Sequence, residues 1–218
     1  MKRDYIFKAL TWCVFSIALF TTMAAVSSCE SDDDNTAPDG TLVNKAKTFL
    51  TGDIVIYTTA VINDVDKTLL PTGCPAKYNF KWDNNNKDKF TITLTQFHVG
   101  AMPVMINFTC DVKMNNLKTS DKDIYKGEGW LAFDGVDGKT WFGDGDASTA
   151  SVTKGSKIDG YYNVNSQEIN FKIDYNSMNA KTYCKTQVVD KSLLNNFDAL
   201  FIQYQEDLTQ YKKDHGLQ

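Results

Sequence analysis

Hydrophobic and polar residues alternate along most of the chain between residues 54 and 189, a pattern typical of half-buried β-strands. Short polar turns separate the alternating runs, and the absence of a helical pattern between consecutive runs argues against a βαβ arrangement. The pattern predicts eight or nine antiparallel strands. The runs are 54–62, 78–82, 90–94, 103–114, 130–133, 140–142, 158–164, 169–175 and 182–189.

Two segments outside this region have helical spacing instead. Apolar residues between 39 and 50 predict a short helix that stops at Gly52. Near the end of the chain, an apolar stripe with steps of three and four residues predicts an amphipathic helix. Each of its large side chains would cost about 1.5 to 3 kcal/mol if left in water, so we expect this helix to pack on the sheet. A partner-binding helix is the alternative. The stripe consists of Leu193, Phe197, Leu200, Tyr204, Leu208 and Tyr211.

Residues 1–28 are predicted to be a secretory signal peptide, because basic residues precede an apolar run from 9 to 26. A membrane-spanning helix is the alternative interpretation. The run ends in Ser27, Ser28 and Cys29, and this ending resembles the bacterial lipobox, in which a cysteine after small residues is acylated before cleavage. The resemblance implies a lipid anchor at Cys29.

Residues 29–40 are rich in acidic and small polar residues, which predicts a flexible tether. The acidic run directly after Cys29 resembles the signal that sends lipoproteins of the Bacteroidetes to the outer face of the outer membrane. It implies a protein exposed on the cell surface and held to the outer membrane by its lipid. We expect residues 41–218 to form a single domain.

The composition narrows the set of possible partners. The chain has 23 basic and 27 acidic residues, and its one arginine, Arg3, lies in the predicted signal peptide. Arginine is the side chain that binds phosphates and base edges through paired hydrogen bonds. We therefore expect no nucleic-acid partner, and the composition favours neutral or apolar ligands.

Three cysteines follow Cys29, and the predicted compartment permits disulfides. Cys110 lies at a core-facing position of the run 103–114, so we expect it to stay free. Of the three possible pairings, we favour a bridge between Cys74 and Cys184.

Residues 134–146 contain the residue types that calcium binds, with four aspartates interleaved with glycines. The spacing is not that of an EF-hand, and Asp-Gly pairs also form tight turns, so a hairpin turn at 134–138 is the preferred interpretation and calcium the weaker one. We expect no cofactor. The aspartates are Asp134, Asp137, Asp144 and Asp146.

Trp130 and Trp141 lie on either side of this predicted turn, and they are the aromatic residues that we expect to face a ligand. The chain contains no nucleophile elbow, zinc-protease motif or phosphate-binding loop. We therefore expect a protein that is not an enzyme.

As a whole, the sequence resembles the calycin-like (lipocalin-like) lipoprotein domains of unknown function in gut Bacteroides. The resemblance rests on the combination of lipobox, acidic tether, short helix, strands and closing helix. Ile173, Asp174 and Tyr175 approximate the Thr-Asp-Tyr motif of lipocalins. The resemblance implies a mainly β protein with an antiparallel barrel of eight or nine strands, and a β-sandwich is the alternative. The function it favours is non-catalytic binding of a small apolar or glycan-like molecule. The alternative is a structural or interaction accessory of an outer-membrane complex, without a ligand cavity.

Overall fold

The alternating runs form one antiparallel sheet that closes on itself, because its first strand also pairs with its last. The computed structural model describes residues 37–217 apart from 101, 103 and 149, so the predicted signal peptide, Cys29 and most of the predicted tether lie outside the described residues. Eight strands form the closed barrel, and the two-residue β2 extends one edge. The strands are β1 (Gly52–Ile62), β2 (Val65–Asp66), β3 (Cys74–Trp82), β4 (Lys89–Phe97), β5 (Ile106–Asn115), β6 (Trp130–Phe142), β7 (Thr153–Asn163), β8 (Glu168–Asp174) and β9 (Ala180–Val188).

The predicted barrel and both predicted helices are confirmed, and the β-sandwich alternative is wrong. The short helix α1 is Gly40–Phe49, and the C-terminal helix α2 is Phe197–Asp214. Single 3₁₀ helices, Thr119–Asp121 and Lys191–Asn196, lie between β5 and β6 and before α2. No helix in the described part of the chain is both long and apolar enough to cross a membrane.

Helix α1 packs against one end of the barrel. The helix begins at Asp39, whose carboxylate accepts a hydrogen bond from the Thr41 N–H at 2.7 Å. Its inward side chain Val43 joins the barrel core, as does Leu50, which follows the helix. The indole of Trp82, at the end of β3, donates a hydrogen bond to the Leu50 carbonyl. These contacts join the helix to the barrel end at which β3 finishes.

Two loops pack against the opposite end. Leu70, from the loop before β3, and Val99, from the loop after β4, are buried in the same core. The loops touch at Gly100, where an added Cβ would lie 1.9 Å from the Lys67 carbonyl oxygen. Both ends of the barrel are therefore covered by the chain itself.

Large side chains fill the barrel interior. Tyr78 and Phe171, for example, meet edge to face with ring centroids 5.2 Å apart. The interior is therefore a packed core. The buried rings of the interior include Tyr78, Phe80, Phe90, Phe108, Phe133, Tyr162, Phe171 and Tyr175.

Hydroxyl groups inside the barrel bond to one another. The Tyr78 hydroxyl lies 3.1 Å from Thr58 Oγ1, and the Tyr175 hydroxyl lies 2.9 Å from Thr182 Oγ1. Each pair joins side chains of different strands or turns, which satisfies polar atoms that burial removes from water. Burial raises the pKa of Tyr78 and Tyr175, so both hydroxyls keep their protons. The Tyr162 hydroxyl is buried without a hydrogen-bond partner among the described residues.

The predicted turn at 134–138 is wrong, because strand β6 runs without interruption from Trp130 to Phe142. Gly135 and Gly138 both face inward although they are three positions apart, whereas inward residues of a regular strand are two apart. One extra residue therefore lies between them, and the pairing with β7 shifts register there. An added Cβ at Gly135 would lie 2.7 Å from Cys110 Sγ. The glycines therefore make room for Cys110 within a β-bulge, and no chain reversal occurs.

The predicted bridge between Cys74 and Cys184 is not formed, and all three cysteines of the barrel are buried free thiols. Cys74 pairs with Thr58 on one side of β1. On its other side, Thr59 pairs with Tyr183, the neighbour of Cys184. Because β1 lies between the two thiols, their Cα atoms are two strand spacings apart, roughly 10 Å. A disulfide needs Cα atoms within about 7 Å.

We predict that Gly160→Ala lowers the free energy of unfolding by about 1 to 3 kcal/mol, because overpacking forces neighbouring side chains to shift. An added Cβ at Gly160 would lie 2.5 Å from both Phe133 Cζ and Phe171 Cβ. Urea unfolding followed by circular dichroism measures the change. Gly40→Ala, which has no atom within 4 Å of its new Cβ, is the matched control and should be neutral. Equal stability of the two variants would contradict this packing.

We also predict that the barrel thiols react only after unfolding. Burial raises the pKa of Cys74 and Cys184 to about 12 and that of Cys110 to about 11, so each is a neutral thiol at neutral pH. The measurement is a thiol titration without reductant on the full chain carrying C13S and C29S. We expect no reactive thiols in the folded protein and three in denaturant. A count of one in denaturant would reveal a disulfide and contradict the structure.

Candidate functional site

A cleft of about 490 Å³ lies between the outer face of the barrel and helix α2. This volume is within the range of small-molecule sites. One wall comes from β1 and β9, the other from α2, and the loop before β3 closes one side. The lining residues are Tyr57, Thr59, Pro71, Thr72, Gly73, Tyr183, Lys185, Thr186, Gln187, Leu200, Gln203, Tyr204 and Asp207.

The cleft lies where β1 and β9 separate. The two strands pair over four positions, from Thr59 with Tyr183 to Ile62 with Ala180. Beyond them the side chain of Gln187 takes the place of a strand backbone. Its Nε2 donates to the carbonyl of Tyr57, and its Oε1 accepts from the Tyr57 N–H, both at 2.9 Å. One amide side chain therefore satisfies both backbone groups of Tyr57 at the point of separation.

Helix α2 rests on the barrel through few residues. Of the predicted apolar stripe, Tyr204 and Leu208 are buried, and the Tyr204 hydroxyl donates to the Thr68 carbonyl at 3.3 Å. The expected packing of the whole stripe is therefore only partly realised, because the cleft lies under the same face of the helix. The half-buried members of the stripe are Leu193, Phe197, Leu200 and Tyr211.

The cleft combines aromatic, aliphatic and polar surface. Tyr57 and Tyr183 project from the outer face of the barrel, and Leu200 faces them from α2. Lys185 and Asp207 bring one positive and one negative charge. Such a lining suits a small ligand that has an apolar face and hydroxyl or amide groups but no net charge.

The two tryptophans predicted to face a ligand lie elsewhere. Trp130 is half-buried on the outer wall, where its ring centroid is 4.8 Å from that of Tyr125. Trp141 is buried, and its indole donates to the Gly145 carbonyl at 2.8 Å. Trp141 therefore supports the loop after β6, whereas Trp130 belongs to a surface cluster of aromatic residues.

The four aspartates of the calcium hypothesis lie on two different elements. Asp134 and Asp137 are part of β6, and Asp144 and Asp146 follow it in a loop. The Asp146 carboxylate accepts a hydrogen bond from the Ser148 N–H at 2.7 Å, as in a polar turn. Within residues 37–217, as described, no group of three or more His, Cys, Asp or Glu side chains is arranged to hold a metal ion.

Sequence reasoning missed the cleft because its walls come from distant parts of the chain. Tyr57 and Gln187 are 130 residues apart and meet only when the barrel closes. The sequence signal that could have indicated the cleft was the alternation of its strands, which places Tyr57 and Tyr183 on the outer face as half-exposed aromatic residues.

The fold defines a small closed antiparallel barrel with one helix on an end and one on the wall. The chain belongs to the family described as Domain of unknown function (DUF4903), whose model matches residues 29–216. The chain matches no curated protein and no solved structure.

We predict that Gln187→Ala lowers the free energy of unfolding by about 1 to 3 kcal/mol, because the Tyr57 N–H and carbonyl lose their partner. Hydrogen exchange at the Tyr57 amide should become faster in the same variant. Gln205→Ala, an exposed glutamine on α2, is the matched control. Unchanged exchange at Tyr57 would contradict the proposed role of this side chain in barrel closure.

Proposed function

We propose that the protein is a non-catalytic binding protein that holds a small neutral ligand, glycan-like or apolar, in the cleft between the barrel wall and α2. The observation that carries the proposal is the cleft itself, with about 490 Å³ of space and a mixed aromatic and polar lining. A binding site needs shape, an apolar surface and a few polar groups to orient the ligand, and this cleft supplies all three.

The charges around the cleft support a neutral ligand. Lys185 and Asp207 have opposite signs, so neither a strong cation nor a strong anion is favoured by the lining as a whole. Arg3 is the one arginine of the chain and lies far outside the barrel sequence, so recognition of carboxylates or phosphates by a guanidinium is unavailable to the barrel. Tyrosine rings and amides remain as the main recognition groups.

Binding without catalysis is favoured by the same lining. Asp207 is the one carboxylate among the residues that line the cleft, whereas glycoside hydrolysis uses a pair of carboxylates, and the lining includes no His or Cys. The thiols of Cys74 and Cys184 are inside the barrel and remain protonated. We therefore propose that the protein captures its ligand and leaves it unchanged.

The place of action in this proposal is the cell surface. Residues 1–28 would be removed as a signal peptide, Cys29 would receive the lipid, and residues 29–40 would hold the barrel away from the outer membrane. Lipid chains contribute about 0.8 kcal/mol for each buried CH₂, so multiple acyl chains give a durable anchor. The support for this part is the sequence alone, through its likeness to surface lipoproteins of the Bacteroidetes with a calycin-like domain.

A second candidate function is that of an interaction accessory in an outer-membrane complex. The observation that favours it is exposed apolar surface, since Ile202 on α2 and Val188 at the end of β9 are each 59% exposed. Exposed aliphatic side chains of this size are common at protein contacts but also occur singly on free surfaces. The cleft favours the ligand-binding function over this one.

The test titrates the full chain in detergent with three neutral probes: the fluorescent amine N-phenylnaphthylamine, maltohexaose and cellohexaose. The fluorescence that the amine gives in detergent alone is subtracted, because the amine also enters micelles. We predict that at least one probe binds and that Tyr183→Ala weakens its binding about two- to tenfold, because an aromatic contact is worth roughly 0.5 to 1.5 kcal/mol. Fluorescence and calorimetry give the dissociation constants.

Tyr211→Ala is the matched control for this experiment, because Tyr211 stacks on His215 with ring centroids 4.0 Å apart and lies outside the cleft lining. If no probe binds, or if Tyr183→Ala and the control behave alike, the cleft is not the site. Loss of a co-purifying membrane protein in Ile202→Asp alone would instead support the accessory function.

A further inference from the structure

A second group of outward side chains lies on the barrel wall away from the cleft. The aromatic cluster consists of Tyr125, Trp130 and Tyr161, all half-buried. The rings of Tyr125 and Tyr161 stack with centroids 3.9 Å apart and an angle of 23°, and Trp130 lies against Tyr125. The cluster combines β6, β7 and the loop between β5 and β6 in one surface.

Hydrogen bonds hold these rings in place. The Tyr161 hydroxyl donates to Asp121 Oδ2, and the Tyr125 hydroxyl donates to Asn170 Oδ1, each at 3.1 Å. Burial and the hydrogen bond to Asp121 raise the pKa of Tyr161 to about 12, so this hydroxyl keeps its proton at neutral pH. Fixed aromatic rings lose little conformational freedom when a ligand stacks on them.

A polar bridge connects the cluster with the cleft. Asn170 on β8 pairs with Tyr161 on β7, and its Nδ2 donates to Thr186 Oγ1 on β9 at 3.3 Å. Thr186 also lines the cleft. The surface therefore continues from β9 across β8 and β7 to β6, three strand spacings or roughly 14 Å.

We propose that the ligand is an extended neutral oligosaccharide that enters the cleft with one end and crosses the wall to the aromatic cluster. This inference rests on the proposed function of the cleft and names its ligand class. Sugar rings offer apolar C–H faces that stack on aromatic side chains and hydroxyls that bond to amides and hydroxyls, and both kinds of partner alternate along this surface. An alkyl chain would leave Asn170 and Thr186 without new hydrogen bonds.

The path suits a chain of several sugars better than a single one. The cleft offers Tyr57 and Tyr183, and the cluster offers Trp130 on the far side of the Asn170 bridge. A short ligand reaches one end only. A longer ligand reaches both ends, and its second contact is intramolecular, which raises affinity without any change in the first contact.

The test compares a disaccharide with a hexasaccharide of the same sugar, namely maltose with maltohexaose and cellobiose with cellohexaose, by calorimetry on the full chain in detergent. We expect the hexasaccharide of at least one pair to bind about two- to tenfold more tightly than its disaccharide. Trp130→Ala should remove this advantage and leave disaccharide binding unchanged. Tyr183→Ala should weaken both ligands.

Three further variants keep the comparison interpretable. Trp130→Phe retains a ring and should retain most of the length advantage, whereas Tyr211→Ala should behave as the unaltered protein. Tyr125→Ala, on the loop between β5 and β6, replaces Trp130→Ala if that variant fails to fold, and should also remove the advantage.

The outcomes separate this inference from the proposed function. Equal affinity for both lengths, or an advantage that survives Trp130→Ala and Tyr125→Ala, would overturn the extended ligand while the cleft remains a binding site. Binding of N-phenylnaphthylamine with no binding of any oligosaccharide would overturn the glycan class and leave an apolar site. Binding of no probe at all would overturn both.

Discussion

The pairing of β1 with β9 is the interaction on which the rest of the structure depends. Without it, the first and last strands would each expose a row of unpaired N–H and carbonyl groups. The pairing covers four positions and is continued by the side chain of Gln187, which bonds to both backbone groups of Tyr57. Closure therefore combines a short strand pair with one well-placed amide. The filled interior and the outer cleft both follow from this arrangement.

The packed interior is the reason that the proposed ligand site lies outside the barrel. Rings such as Phe108 and Phe133 occupy the space that a ligand would need, while α1 and two loops cover the ends. Helix α2 contacts the barrel through the buried Tyr204 and Leu208 and through the half-buried Phe201 and Tyr211, and it leaves a cleft beside them. A wall supported by a solid core gives fixed positions to Tyr57 and Tyr183. Rigid positions of this kind favour selective recognition.

Alternation along the chain was sufficient to predict most of the strands, their antiparallel order and both helices, because burial on one face imposes a period of two on strands and 3.6 on helices. It divided β6 into two strands and missed the two-residue β2. Short motifs and residue spacings predicted the local structure less reliably. The Asp-Gly pairs near Gly135 predicted a turn, but the glycines accommodate Cys110 inside a bulge. The predicted Cys74–Cys184 disulfide was wrong because sequence spacing does not reveal that β1 lies between the two cysteines.

The cleft depends on contacts between residues more than a hundred positions apart, which no local pattern encodes. Trp130 and Trp141 were expected to face a ligand together, but neither lines the cleft, and the aromatic neighbours of Trp130 come from a different strand and loop.

The bulge of β6 also limits which changes in the sequence of this domain evolution can accept. Leu131, Phe133 and Gly135 face inward before it, and Gly138 and Thr140 after it, so the one additional residue reverses the phase of the strand. Deletion of that residue would turn every later side chain of β6 to the opposite face. Substitutions that keep size and polarity are tolerable along this strand, whereas a change in its length is not. Insertions and deletions among relatives should therefore collect in the loops on either side of β6 and spare its thirteen residues.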